Sequence, residues 1–169
     1  SAGYTMLVTQ DLDAAKAYCT TRYMGQASKR YGLLVSSKAE TALMRHYGVD
    51  NSYEATSMRN MDIAAWYNDP PESPKSCCSF HHVVTEFSCQ GLEVDLSILC
   101  WGPDMIWNGN AWNLYRPMQS ADNNDNRYRV NSYRVLLTRG RDGLIVFVPP
   151  ESKLSPIYDL LRRVGLEEL

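Results

Sequence analysis

The sequence predicts an α/β domain built on a mostly parallel sheet with helices on both of its faces. Three observations predict it. Strand-like and helix-like segments alternate from the N-terminus onward, which is the order that βαβ units produce. The runs Leu96 to Trp101 and Leu144 to Val148 are almost wholly apolar, as strands covered on both sides are. The chain has 169 residues, 44% hydrophobic and 21% charged, enough for one globular domain with its own core, so residues 1–169 are read as a single domain.

Thr5 to Thr9 is a short apolar strand. Asp11-Leu12-Asp13 supplies an N-cap and early acids for a helix reaching Tyr23, with Leu12, Ala15 and Cys19 as its buried stripe. Tyr31 to Ser37 is the next strand and Lys38 to Tyr47 the next helix, closed by Gly48. Asn51 to Asn60 reads as extended. Asp62 to Tyr67 is a short helix stopped by Asp69-Pro70-Pro71, and Pro71 to Lys75 is a loop. His81 to Phe87 and Leu96 to Trp101 are strands, and Met105 to Met118 is a hairpin or a loop with one edge strand. Ser120 to Asn126 lacks apolar periodicity and is expected to be a mobile loop. Pro149-Pro150 ends the last strand. Ser155-Pro156 then opens a closing helix over residues 155–165, with Ile157, Leu160, Leu161 and Val164 on one side. Ser1-Ala2 stands where a starting methionine is expected and reads as a tag remnant on an excised fragment.

Composition narrows the function. A net charge of −2 and a pI near 5.9 exclude nucleic-acid binding by bulk electrostatics, so any such contact is local. No run reaches the length of a membrane span and there is no secretory leader. The five cysteines contain no C-x-x-C pair, and a reduced, cytoplasmic setting is expected. Cys77-Cys78-Ser79-Phe80-His81-His82 holds zinc-ligand types, but in an extended segment neighbouring side chains point to opposite faces. Packed cysteines beside a partly buried histidine pair are the expectation there. The H-x-E and P-C-x-x-C pattern of zinc deaminases is missing. Trp101, Trp107 and Trp112 suit base stacking, and core or hairpin packing is expected for at least two of them.

The richest stretch is Tyr133 to Val148. Tyr133, Leu136, Leu137 and Gly140 fall on one helical face, and Gly140 and Gly143 mark the change to the apolar strand. Five arginines and no acid lie between Arg127 and Arg141. Guanidinium forks suit phosphate oxygens, although spacing alone favours a solvated helix face paired with acids elsewhere.

Leu137-Thr138-Arg139-Gly140 followed by a strand resembles motif VI of superfamily-one helicases. Thr85-Glu86-Phe87-Ser88-Cys89-Gln90-Gly91-Leu92-Glu93-Val94-Asp95 resembles motif V of the same enzymes. With Cys100-Trp101-Gly102, the fuller wording is similar to a bacterial family of Schlafen-like DNA/RNA helicases, and Tyr31 to Ala39 matches the strand and loop that open the middle of their second lobe. The resemblance spans most of the chain, in the family's order; Gln90 stands where lysine is usual.

That resemblance implies the second, C-terminal lobe of a two-lobed motor, with a RecA-like three-layer α/β/α fold of the P-loop NTPase type. The chain itself lacks a G-x-x-x-x-G-K-[ST] phosphate loop, and no buried strand ends in a magnesium-holding Asp-Glu pair. By the resemblance, ATP and Mg²⁺ are bound mainly by the N-terminal RecA-like lobe of a longer parent, and this lobe alone does not turn over ATP. Arg139 is then the arginine finger and the one catalytic residue. Gly91 and Glu93 contact the nucleotide with Arg139, Glu93 at the ribose, and Arg141 steers phosphates. Thr85 and Gln90 touch the backbone of single-stranded DNA or RNA. The reading from a different class is a non-catalytic RecA-like interaction or nucleic-acid-binding module.

Overall fold

The computed structural model describes residues 3–114 and 124–169. Its main sheet has six strands, all parallel to their neighbours, in the order β3-β2-β4-β7-β1-β8. These are β1 (Thr5–Thr9), β2 (Tyr31–Val35), β3 (Val83–Thr85), β4 (Val94–Cys100), β7 (Gly140–Phe147) and β8 (Glu167–Glu168). Every residue of β2 and of β4 is buried, so both faces of the sheet centre are covered. This is the α/β class expected, consistent with a RecA-like three-layer arrangement.

Local chemistry explains the elements that flank the sheet. Helix α1 (Leu12–Arg22) starts where the Asp11 carboxylate accepts from the N–H groups of Asp13 and Ala14, and it buries Leu12, Ala15 and Cys19. Helix α2 (Thr41–His46) ends before Gly48, whose φ of 76° no β-carbon opposes. Helix α4 (Ile63–Asn68) is capped by Asp62 and halted before Pro70-Pro71. A hairpin of β5 (Met105–Trp107) and β6 (Trp112–Leu114) forms a separate two-stranded sheet. Its tryptophans pack: Trp101 stacks on Trp112 at 6.0 Å, and Trp107 meets Trp112 edge-on at 5.2 Å. Helix α6 (Ser155–Arg163) buries Ile157 and Leu161.

Several expectations shift. Asn51 to Asn60 is not extended, because Tyr53–Thr56 forms a helical turn, α3, whose carbonyls and amides bond locally. Cys77–Ser79 is a 3-10 turn closed by Phe80 at φ 58°, not an extended segment, and His81 and His82 are both exposed. Val164 is 64% exposed because α6 has already ended. The strand expected from Leu144 begins at Gly140, since backbone pairing with β4 extends beyond the apolar stretch. Helix α5 (Asn124–Leu137) takes in residues 124–126 of the expected loop. Residues 1–2, and 115–123 with the rest of the expected mobile loop, lie outside the described residues.

One glycine fixes the centre of the sheet. A β-carbon on Gly143 would lie 2.5 Å from the Thr5 carbonyl oxygen and 2.8 Å from Thr5 Cβ, both on the paired strand. Gly143→Ala is therefore expected to lower stability by about 1–3 kcal/mol. Urea unfolding reads it directly; an unchanged midpoint would mean that β1 and β7 part without cost.

Candidate functional site

All main strands point the same way, so the sheet has an edge where strands begin and an edge where they end. Val94 pairs with Gly140 at the first, while Thr85, Val35, Cys100 and Phe147 align at the second. The seven residues of β4 at ~3.3 Å each set these edges about 20 Å apart.

The starting edge gathers four of the residues that the sequence singled out. Helix α5 ends at Leu137 and β7 starts at Gly140, which leaves Arg139 at the turn. Its main-chain carbonyl accepts from Val94 N at 2.9 Å, fastening the turn to the start of β4. Its guanidinium donates from Nε to the Val135 carbonyl at 2.9 Å and from Nη1 to the Leu92 carbonyl at 3.2 Å. The side chain thus caps α5 and clasps the Gly-Leu-Glu turn at once. Gly91 sits in that turn at φ 76°, a conformation that favours glycine, and Glu93 is exposed beside it. Arg141 Nη2 donates to the Glu93 carbonyl at 3.2 Å and to the Tyr67 hydroxyl at 3.1 Å.

Two further residues belong to this edge. Tyr67, on α4, donates its hydroxyl to the Glu93 carbonyl at 3.0 Å. Arg30 donates from Nε to the Tyr67 carbonyl at 2.7 Å and caps α4 through the Asn68 carbonyl. Neither has a sequence signal of its own, since each is found only by which carbonyl it reaches. Arg30, Arg139 and Arg141 form no ion pair with a carboxylate among the described residues. Their charge is left to act outward on an anion. Alongside, Lys29 bridges Asp95 at 3.0 Å and Asp142 at 2.7 Å, which raises the lysine and holds Asp142 below the usual carboxylate range. Burial pushes the nearby Cys89 thiol up to about 11, with the Arg139 charge pulling the other way.

The finishing edge holds the rest. Thr85 is 3% exposed, with its N–H donating to Ser88 Oγ at 2.9 Å and its hydroxyl 3.4 Å from the same atom. It shapes the start of the turn. Gln90 is exposed farther along, so the Thr85-to-Glu93 segment carries the chain from one edge to the other. Glu86 is buried and accepts from Ser37 N and Ser37 Oγ, each at 2.8 Å. Nearby, Asp104 is buried among Ser36 Oγ at 2.7 Å, Tyr133 hydroxyl at 2.8 Å and the Arg129 guanidinium. So one of the five arginines does pair with an acid, in the interior.

The five cysteines are free and buried. Cys77 and Cys78 place their sulfurs 3.9 Å apart, and no three His, Cys, Asp or Glu residues converge as a metal site among the described residues. No helix among them is long and apolar enough to cross a membrane.

The tyrosines here carry a pH dependence. Burial first, then the Asp104 charge, raises Tyr133 well above its ordinary value of 10.0, and burial with Asp142 pushes Tyr23 up to about 12. Below pH 10.0 both phenols are protonated whether the chain is folded or not. Above it the unfolded chain loses protons that the folded one keeps, so stability falls as pH rises through the folded values. The Cys89 thiol, raised above its ordinary value of 9.0, adds the same loss from about pH 9, so urea midpoints are expected to decline from about pH 9 toward about pH 12; a flat profile would contradict these assignments.

Among protein-family models, the one described as Schlafen group 3, DNA/RNA helicase domain, matches residues 1–150. A search of curated proteins found no match, and a search of solved structures found none.

Proposed function

We propose that this chain, which belongs to the Schlafen group 3 DNA/RNA helicase domain family, is the second motor lobe of an ATP-driven nucleic-acid helicase or translocase. The observation that carries this reading is Arg139, a guanidinium without an acid partner among the described residues, seated between the end of α5 and the Gly-Leu-Glu turn. A group held in this way is pre-positioned for charge that develops on a phosphate.

In this reading the N-terminal lobe of a longer parent chain binds ATP and Mg²⁺, and the starting edge of this sheet closes over the nucleotide. That metal, when bound, would supply neutralising charge to the phosphates. The residues here fit that partner, since Arg30, Arg139 and Arg141 offer three cations at one edge with no ion-pair partner among the described residues. Arg139 acts as the arginine finger at the γ-phosphate, Glu93 accepts from the ribose, Gly91 lets the backbone approach, and Arg141 steers phosphate. Arg139 bonds to both α5 and the Gly-Leu-Glu turn, so movement toward the phosphate draws on both. Closure with ATP and release after hydrolysis then alternate the grip on a single strand at the exposed Gln90, the buried Thr85 shaping the turn that carries it, which gives stepping.

The test is polynucleotide-stimulated ATPase of the longer parent chain, wild type against Arg139→Ala. Lost turnover with ATP binding retained supports the finger. An unchanged rate leaves a non-catalytic interaction module as the better account.

A further inference from the structure

Cys77 and Cys78 form a reactive pair that the motor reading leaves unused. Ser76 Oγ accepts from the Cys78 N–H at 3.3 Å and starts the 3-10 turn, and Phe80 closes it in the left-handed region. The turn packs on β2 so closely that a β-carbon on Gly32 would sit 3.0 Å from Cys77 Cβ. Held in this way, the two sulfurs are 3.9 Å apart, and Cys78 Sγ lies 3.6 Å from the Lys29 carbonyl. No other two cysteines are within hydrogen-bond distance of each other among the described residues.

The two thiols differ. The Cys77 thiol, donating to Cys78, holds Cys78 below the ordinary thiol value of 9.0 and is itself raised above it, and the Arg30 charge also favours the Cys78 thiolate. Burial instead pushes Cys19 and Cys100 up to about 12 and Cys89 to about 11, which leaves them poor nucleophiles. Exposure agrees, with Cys78 at 7% and Cys77 at 0%. A reagent the size of water has to reach Cys78 alone, because Cys77 needs to meet only its neighbour.

We infer that Cys77 and Cys78 are a peroxide-responsive dithiol that closes to a reversible disulfide. The Cys78 thiolate attacks one oxygen of the peroxide; an S–O bond forms, the O–O bond breaks, and hydroxide leaves and is protonated to water. The sulfur is oxidised by two electrons and the peroxide is reduced. Cys77 sulfur then attacks Cys78 sulfur; the S–S bond forms, the S–O bond breaks, and the second hydroxide leaves and takes the Cys77 proton as water. Two thiols and one peroxide give one disulfide and two waters. Adjacent Cα atoms sit about 3.8 Å apart, closer than disulfides favour, so small thiols reopen the bridge readily. Closing it draws Cys78 off the Lys29 carbonyl, where the chain enters β2, where Lys29 holds Asp95 and Asp142 and where Arg30 holds the Tyr67 carbonyl. Oxidation thus loosens the starting edge of the sheet, whatever that edge binds.

The experiment treats this folded chain with equimolar hydrogen peroxide, alkylates the remaining thiols in denaturant and maps them by mass spectrometry. The expected result is a loss of two hydrogens, with Cys77 and Cys78 in one unalkylated peptide, Cys19, Cys89 and Cys100 alkylated, and full alkylation restored by dithiothreitol. Cys77→Ser leaves the Cys78 sulfenic acid without its partner, so dimedone labels it about tenfold more than in the wild type. Cys78→Ser slows peroxide consumption about tenfold, since Cys77 is sealed from solvent. Matching thermal melts keep folding out of both comparisons, and the mapping of the wild type needs no variant. Hydrogen exchange over residues 27–31 speeds up about tenfold on oxidation and returns on reduction. Five alkylated cysteines after peroxide, a bridge to any other cysteine, equal dimedone labelling of wild type and Cys77→Ser, or a bridge that forms only in denaturant overturns the assignment. Unchanged exchange with the bridge closed overturns its effect on the starting edge. None of these readouts involves ATP, so failure of the dithiol and failure of the finger are told apart.

Discussion

Arg139→Ala in the longer parent chain is expected to lower polynucleotide-stimulated ATPase by about 10³ to 10⁵ while ATP binding is largely kept. The size follows from when the charge is needed. A guanidinium near the γ-phosphate interacts most strongly as charge shifts in the transition state, so its loss falls on kcat and kcat/KM together. The same side chain also holds the Val135 and Leu92 carbonyls, and losing those bonds costs stability of about 0.5–1.5 kcal/mol each. Thermal melts separate that loss from catalysis. Arg139→Lys adds a second check: it keeps a positive charge but loses the planar fork that spans α5 and the Gly-Leu-Glu turn, so it is expected to recover little of the rate. A variant that melts normally and turns over ATP at the wild-type rate would return Arg139 to a purely structural clasp.

The sequence made the backbone of this fold legible because its signals are local. Asp11 and Asp62 announce α1 and α4 by capping, and almost wholly apolar runs announce β4 and β7. The misplaced elements are those whose pairing is not local. Gly140 to Gly143 looks like a turn from its glycines, yet it continues β7 because β4 supplies the backbone partners. Glu167–Glu168 carries no strand pattern and becomes β8 only by lying beside β1. The candidate site divides in the same way. Arg139, Gly91, Glu93 and Arg141 come from two short motifs and meet because the motifs begin neighbouring strands. Tyr67 and Arg30 join them from elements distant in the chain, through backbone carbonyls that no residue pattern reveals. Thr85 shows the limit of motif reasoning in the other direction, for its place in the block is clear but its hydroxyl is turned inward to Ser88.

Asp104→Ala is expected to be the most destabilising single change among the interior polar residues, at about 3–5 kcal/mol. Asp104 stands in a Gly-Pro-Asp sequence after β4, and its side chain is 1% exposed and receives Ser36, Tyr133 and Arg129. Truncation leaves the Arg129 guanidinium, itself 9% exposed, buried without a counter-charge, and that penalty outweighs the lost attraction. Asp104→Asn keeps the shape and part of the bonding, so a smaller loss is expected. Ser36→Ala removes one hydrogen bond to a charged group and is expected to cost about 1.5–3 kcal/mol. Urea unfolding of the three variants therefore ranks Asp104→Ala as the least stable, and equal midpoints would mean that the pair is not desolvated as the structure shows. The consequence reaches the other edge of the sheet. Helix α5 has 14 residues, about 21 Å of rigid rod, with Arg129 and Tyr133 tied to Asp104 and its last turn capped by Arg139. Loosening the Asp104 anchor frees the element that aims Arg139, so Asp104→Asn in the parent chain is expected to reduce kcat at temperatures where it is still folded. A loss of stability with kcat intact would confine Asp104 to holding the fold and leave Arg139 to be positioned by the Gly-Leu-Glu turn alone.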